Sequence, residues 1–254
     1  MLIGLTHTVS PNLAQGEVTY IDRAPVDYTL ALQQHDQYCS TLAAHGVEVK
    51  KLAMNSDYPD SCFVEDTTIV LDEIVIITRM GTASRRGETA GIAAEISKYR
   101  ETVAIEQPAS IEGGDVLRIG KTLFVGLSTR TNAQGIEALT AIVQYFGYKV
   151  IPVSVTGCLH LKTACTAVSD DTLLINPLWI ETAPLQDFTL LPVSPDEQWA
   201  ANTIRVNDTL FVQAGFPSML EQVRKFTTNI ELLNISEFRK VEAGLSCLSI
   251  LFQK

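Results

Sequence analysis

Apolar and polar positions along this 254-residue chain fall into a unit that recurs. Each unit has two short alternating runs that meet at a tight polar turn, then an amphipathic helix, then a further short strand. The first complete unit pairs Val64–Leu71 with Ile74–Thr78 around Asp72-Glu73, which reads as a hairpin. A polar loop, Arg79–Arg86, leads to a helix at Gly87–Arg100 and a strand at Thr102–Glu106. The second unit sets Asp115–Ile119 against Thr122–Gly126 around Gly120-Lys121. Its helix runs Asn132–Phe146, with Asn132 as N-cap and Gly147 at the C′ position, before the strand Tyr148–Val153. The third places Thr163–Val168 against Thr172–Ile175 around Asp170-Asp171; Pro177 and Pro184 break its helix ahead of the strand Phe188–Leu191. The fourth runs Asn202–Val206, Asn207-Asp208, Thr209–Gln213, a helix at Pro217–Phe226 and a strand at Asn229–Leu233.

The two ends complete the pattern. A strand at Leu2–Thr8 precedes a polar loop (Ser10–Ala24), a helix (Val26–Ala44) and a strand (Val47–Leu52). Tyr28, Leu32, His35, Tyr38, Leu42 and His45 lie at helical spacing, and Gly46 follows as a C′ residue. The C-terminal strand Ser246–Phe252 has no hairpin partner, because the sequence stops there. Pairing it with Leu2–Thr8 makes a fifth unit and closes a ring with no free strand edges. The period of roughly 45 residues belongs to repeat architectures. The expectation is therefore one α/β domain, residues 1–254, of five strand–strand–helix–strand units around a shared axis. A doubly wound sheet is the fallback, and the internal hairpins argue against it.

Composition narrows the function. A formal net charge of −10, from 19 basic and 29 acidic residues, argues against a nucleic-acid partner. Hydrophobic residues make up 46%, enough for a packed core without staples. The five cysteines are odd in number and contain no CxxC pair, which fits neither a disulfide framework nor a zinc finger. The N-terminus lacks a signal-peptide pattern, and no apolar run approaches the roughly 18 residues a membrane span needs. A soluble cytoplasmic protein with no membrane partner is expected. No phosphate-binding glycine loop is present, and no group has metal-ligand spacing.

In a ring, equivalent positions converge on the axis. The starts of the repeats carry Asp66, Glu112, His160, Asn202 and Cys247. A thiol becomes a nucleophile only as thiolate, so it needs a cationic neighbour, either charged His160 or a cationic substrate. Glu112 beside the imidazole would orient the ring, as the third member of a nucleophile–base–orienter set does. Structural readings stand beside these. Asp66 caps a turn as readily as it binds a ligand, His160 alternates with apolar residues as a core histidine does, and a lone cysteine is often an inert core residue.

Taken together the motifs resemble the dimethylarginine dimethylaminohydrolase family. They are Phe63-Val64-Glu65-Asp66, Ile77-Thr78-Arg79-Met80-Gly81-Thr82-Ala83-Ser84-Arg85-Arg86-Gly87-Glu88, Glu112-Gly113-Gly114-Asp115, Arg130-Thr131-Asn132 and Leu159-His160-Leu161-Lys162-Thr163, with Ser236-Glu237-Phe238-Arg239-Lys240-Val241-Glu242-Ala243-Gly244-Leu245-Ser246-Cys247 at the end. The similarity runs from about Leu5 to Phe252. It implies the five-bladed pseudosymmetric α/β-propeller (pentein) of guanidine-modifying enzymes. It also implies cofactor-free hydrolysis of Nω-methylated arginine to citrulline and methylamine or dimethylamine.

By position, Cys247 resembles the nucleophile, His160 the general acid/base, and Glu112 the carboxylate beside the histidine and the guanidinium. Asp60, Glu65 and Asp66 resemble the acids that bind the guanidinium and amino ends of the substrate. Arg85 and Arg130 resemble the pair that takes its α-carboxylate, and the backbone carbonyls of Val18, in a lid, and Val241 resemble further contacts. Ala243 stands where the family commonly has glycine. No metal is implied; Zn²⁺ enters only as an inhibitor held by Cys247 and His160. The expected partner is the small methylated arginine itself, and apolar helix faces on the rim are compatible with a homodimer.

The chemistry agrees independently, since a planar cation calls for carboxylates and an α-carboxylate for arginine. Arginine deiminase or another guanidine hydrolase would use the same residues on another substrate, although deiminases carry an inserted helical domain for which this chain has no room. A non-enzymatic propeller binding module would not need the Cys–His–Glu set.

Overall fold

The computed structural model describes residues 1–254. Its chain opens with β1 (Leu2–His7), α1 (Tyr28–Ala44) and β2 (Glu48–Leu52), and β2 lies parallel to β1. Parallel neighbours need a crossover, which α1 supplies. The second group is β3 (Thr68–Val70), β4 (Val75–Ile77), α2 (Glu88–Ile96) and β5 (Thr102–Ala104). The third is β6 (Val116–Ile119), β7 (Thr122–Leu127), α3 (Ala133–Val143) and β8 (Lys149–Ser154). A short α4 (Leu161–Ala164) precedes β9 (Cys165–Ala167), β10 (Thr172–Ile175) and β11 (Thr189–Pro192). Last come β12 (Ile204–Val206), β13 (Thr209–Gln213), α5 (Pro217–Val223), β14 (Ile230–Leu233), α6 (Ser236–Arg239) and β15 (Ile250–Gln253).

These strands form five three-stranded sheets, and all five share one topology. A central strand is antiparallel to the first strand and parallel to the third. In the fifth sheet β15 takes the place of the first strand and pairs antiparallel with β1, from Leu2 opposite Gln253 to Leu5 opposite Ile250. The hairpins, the crossover helices and the missing helix of the β9–β11 sheet, reduced to one 3-10 turn at Ala183–Leu185, follow the sequence pattern. Gly46 and Gly147 adopt left-handed backbone just past their helices.

The core is divided into wedges between neighbouring sheets. One, for example, packs Ile69, Ile76 and Ile111 of one side against Val125, Leu139 and Val143 of the next. Residues of all five first strands, Ile69, Leu117, Thr166, Arg205 and Leu251, line one cavity of about 810 Å³. This cavity runs from the hairpin turns at Gly120, Asp170 and Asn207 to the chain entering the first strands at Glu65, Lys162 and Ser246.

Two expectations are corrected. The strands drawn from Val64, Asp115, Thr163, Asn202 and Ser246 begin later, at Thr68, Val116, Cys165, Ile204 and Ile250. Helical turns occupy Val64–Thr67, Gly113–Asp115, Leu161–Ala164 and Ser246–Leu248 instead. A helical turn satisfies its backbone N–H groups locally, so the chain ahead of each first strand needs no ladder partner. The second correction concerns α1. Its buried face carries Ala31, Gln34, His35, Tyr38, Thr41 and Leu42, while Tyr28 and Leu32 stay open to solvent. Gln34 turns inward because its amide bonds Ser236 Oγ at 2.8 Å and the Glu237 N–H at 3.0 Å. The helix begins at Tyr28, later than Val26, because the Asp27 carboxylate caps it by accepting the Leu30 N–H.

Candidate active site

The reacting groups lie past the inner end of the axial cavity, in a separate small pocket. His160, at the cap position of α4, is buried and bonds Glu112 Oε2 through Nε2 at 2.7 Å. Its other nitrogen lies 3.8 Å from Asp66 Oδ1. Glu112 is fixed in turn by the Gly81 N–H at 2.8 Å. Asp66 accepts the Gly114 N–H at 3.1 Å. Gly114 has to be glycine here, because a Cβ would fall 2.7 Å from both Asp66 Oδ1 and His160 Nδ1. Behind them Asp115 accepts the Leu161 N–H and the Ser128 and Thr131 hydroxyls, so it anchors the segments that carry His160 and Arg130.

Burial alone would depress the His160 imidazole. The charge of Asp66 and the hydrogen bond to Glu112 outweigh it and raise the group from 6.5 to about 9. The native state therefore holds this proton more tightly than the unfolded chain does. The stabilisation is fully present below pH 6.5 and is lost as pH rises through about 9. Melting temperature is expected to fall across that window, and the fall should be shallower in His160→Asn. Equal slopes in a fluorimetric melting series would detach His160 from the effect.

Cys247 sits on the turn Ser246–Leu248, is 9% exposed and lines the same pocket as His160. Its sulfur accepts the Gly244 N–H at 3.4 Å and makes no hydrogen bond to His160. Burial, then the negative charges of Glu65 and Asp66, push the thiol above its ordinary value. In this state it is a thiol, and a cation arriving beside it would reverse that balance.

A loop closes the pocket. The Glu17 N–H donates to both Asp60 oxygens at 3.1 and 3.2 Å. The Glu242 carboxylate accepts the N–H of Thr19 at 2.8 Å and that of Tyr20. Glu242 is a buried non-glycine residue in left-handed backbone (φ 62°), a conformation that costs about 1–3 kcal/mol. Val18 lies between the two anchored stretches, and its side chain packs on the apolar cluster that contains Val241. The enclosed volume is about 20 Å³, room for little more than one water. An arginine-sized ligand does not fit in this volume with the loop in place.

The arginines differ. All three nitrogens of Arg85 already donate: to Glu88, to Asp66 Oδ2 at 2.7 Å, and to the Phe63 carbonyl at 3.2 Å. Arg130 bonds the Thr82 hydroxyl at 2.9 Å and stands 4.0 Å from Glu112, leaving donors for a ligand. Glu65 is not brought to the pocket. It lines the axial cavity, bonded to Lys162 and to the Ser246 hydroxyl at 2.7 Å. The other sequence-predicted residues Asp60, Asp66, Arg85, Arg130, His160, Val241 and Cys247 line the pocket, and Glu112 lies directly behind His160.

Sequence reasoning missed Glu17, Glu88, Asp115 and Glu242. Glu88, Asp115 and Glu242 stand inside the quoted motifs, and for Asp115 the two preceding glycines were the available signal. No ligand spacing was visible either, yet the structure brings donor atoms of Asp66, Glu112 and His160 within 4.8 Å of one another.

A buried thiol, a carboxylate-oriented imidazole and carboxylates for a cation, set beside five sheets of one topology, define the guanidine-modifying α/β-propeller class. The profile of the eukaryotic N,N dimethylarginine dimethylhydrolase family matches residues 23–241. The chain belongs to the dimethylarginine dimethylaminohydrolase family. It is 38% identical to the N(G),N(G)-dimethylarginine dimethylaminohydrolase of Streptomyces coelicolor over 97% of this chain and 95% of that protein. To the Pseudomonas aeruginosa enzyme of the same name it is 34% identical over 89% and 90%. A solved structure of that enzyme, a mutant complexed with citrulline, superposes with a TM-score of 0.93 at 31% identity, covering 98% of each chain. The N-terminal domain of a cyanobacterial arginine dihydrolase shares the fold, with a TM-score of 0.84 at 18% identity.

Proposed function

We propose that this chain hydrolyses Nω-methylated arginine to citrulline and methylamine or dimethylamine, with no cofactor. The observation that carries this reading is the placement of Cys247 and His160 on one carboxylate-lined pocket that has no bond between them. The gap is where a planar guanidinium would lie. Asp66 and Glu112 accept its N–H groups, Arg130 takes the α-carboxylate, and the guanidinium supplies the positive charge the buried thiol lacks. The thiol proton leaves to solvent, and the thiolate adds to the guanidinium carbon. Imidazolium then gives its proton to the departing amine as the C–N bond breaks, leaving a thiouronium on sulfur. Neutral His160 next takes a proton from water and hydroxide adds to the same carbon; the C–S bond breaks to expel thiolate, and the added hydroxyl loses its proton to solvent, which releases citrulline.

The test is citrulline release from asymmetric dimethylarginine, monomethylarginine and arginine. Turnover of the methylated forms with arginine inert is expected; arginine turned over first would replace the substrate while keeping the catalytic groups. EDTA is expected to leave the rate unchanged. Zn²⁺ is expected to lower it reversibly, as a ligand of Cys247 and His160, and a rate lost to EDTA would overturn the metal-free reading.

We also read residues 1–254 as one catalytic domain whose ring is closed by the β1–β15 pairing. The cavity shared by all five first strands supports this, and a single cooperative urea transition is what it requires. Five free cysteines suit a reducing cytoplasm, and no helix is long and apolar enough to cross a membrane.

A further inference from the structure

Beneath the pocket three side chains outside the reacting set are tied together. Each of them is sequence-adjacent to a reacting residue or one place removed. Lys162, two residues past His160, donates its ammonium to Glu65 Oε1. Glu65 immediately precedes Asp66, and its second oxygen accepts the Ser246 hydroxyl at 2.7 Å. Ser246 immediately precedes Cys247. Asn202 closes the set: its amide N–H donates to the Lys162 carbonyl at 2.8 Å and to Ser246 Oγ at 3.0 Å, and its oxygen accepts the Ser246 N–H at 3.1 Å. Lys162, Glu65 and Ser246 all line the axial cavity, whereas His160, Asp66 and Cys247 line the pocket. The Lys162–Glu65 pair is thus the wall between the two compartments, and it stitches three separate turns at one point.

We infer that Lys162 is a positioning residue for the nucleophile. Through Glu65 and Ser246 it fixes the turn that carries Cys247 relative to His160 and Asp66, and it presents a positive charge to that turn from the cavity side. An ion pair that held only the wall would not need its second carboxylate oxygen on the residue before the cysteine. The charges around the thiol agree. Glu65 and Asp66 from the turn ahead of β3 oppose ionisation, and Lys162 of α4 favours it. Protonated His160 from the same segment, Glu242 just ahead of Cys247, and Tyr38 of α1, bonded to Ser249, complete the surroundings. Without Lys162, Glu65 becomes an uncompensated negative charge under the sulfur, and Ser246 is free to leave it.

This inference rests on Cys247 being the nucleophile, so its test reads the thiol without substrate. Cys247 alkylation by iodoacetamide, followed by mass spectrometry of its peptide across pH, is compared in wild type, Lys162→Met, Lys162→Arg and Ser246→Ala. In Lys162→Met the alkylation profile is expected to move up by about one pH unit. On dimethylarginine its kcat should fall about 10- to 100-fold while KM changes far less. Lys162→Arg is expected to recover most of both. Ser246→Ala cuts the strut and keeps the ion pair, so it should lower kcat with the alkylation profile in place. That variant also decides the matter if Lys162→Met does not fold. A wild-type alkylation profile and kcat in Lys162→Met, or an unchanged kcat in Ser246→Ala, overturns the role. A shifted alkylation profile in a protein inactive on dimethylarginine would instead spare the positioning role and reject the substrate.

Discussion

Replacing Cys247 with serine is expected to reduce citrulline formation by about 10⁴-fold or more while substrate still binds. Burial and the carboxylates Glu65 and Asp66 already hold the thiol above its ordinary value. A serine hydroxyl in the same place starts several pH units higher, so the arriving guanidinium has too little charge to ionise it. The groups proposed to recognise the substrate, Asp66, Glu112 and Arg130, are untouched, and no hydrogen bond joins them to the sulfur. Calorimetric titration of Cys247→Ser with dimethylarginine should therefore give a dissociation constant within severalfold of the wild-type KM. A variant with near-normal turnover would remove Cys247 from the mechanism. Loss of binding together with turnover would mean that the sulfur, and not the carboxylates, holds the substrate.

Arg85→Ala should destabilise the fold by about 3–5 kcal/mol, whereas Arg130→Ala should cost far less stability and act on KM. Arg85 is 4% exposed and neutralises two buried carboxylates at once, Asp66 at 2.7 Å and Glu88 at 2.8 Å. Removing it strips Glu88 of its cation and leaves Asp66 with only His160, whose Nδ1 lies 3.8 Å away. Arg130 is equally buried but bonds only a threonine hydroxyl and stands 4.0 Å from Glu112, so its charge remains available to a ligand carboxylate. Urea unfolding midpoints together with KM for dimethylarginine separate the two roles. Equal losses of stability in both variants would contradict this division, and a rise of KM in Arg85→Ala with unchanged stability would return Arg85 to the substrate.

Much of the fold is legible in the sequence. Hairpins announced by Asp72-Glu73, Gly120-Lys121 and Asn207-Asp208, and helix ends marked by Asn132, Gly46 and Gly147, depend on a few neighbouring residues, and local chemistry decides them. The burial of Gln34 was not legible. Its partners Ser236 and Glu237 lie some two hundred residues away, so the spacing that placed His35, Tyr38 and Leu42 on the buried face of α1 gave no sign of Gln34. The direction taken by Glu65 was not legible for a related reason. It stands next to Asp66 in a motif, yet on a tight helical turn adjacent side chains diverge, and one enters the pocket while the other enters the axial cavity.

What the sequence by itself determined was the repeat, its turns and caps, and which residue types come to the repeat starts. Those follow from periodicity and from the chemistry of single side chains. What only the tertiary structure decided was how each charge is used: Asp60 and Glu242 on the lid backbone, Arg85 on Asp66 and Glu88, Lys162 on Glu65. A buried charge takes whichever partner the packed chain brings within about 3 Å. That choice is made by segments far apart in sequence, and no local pattern records it.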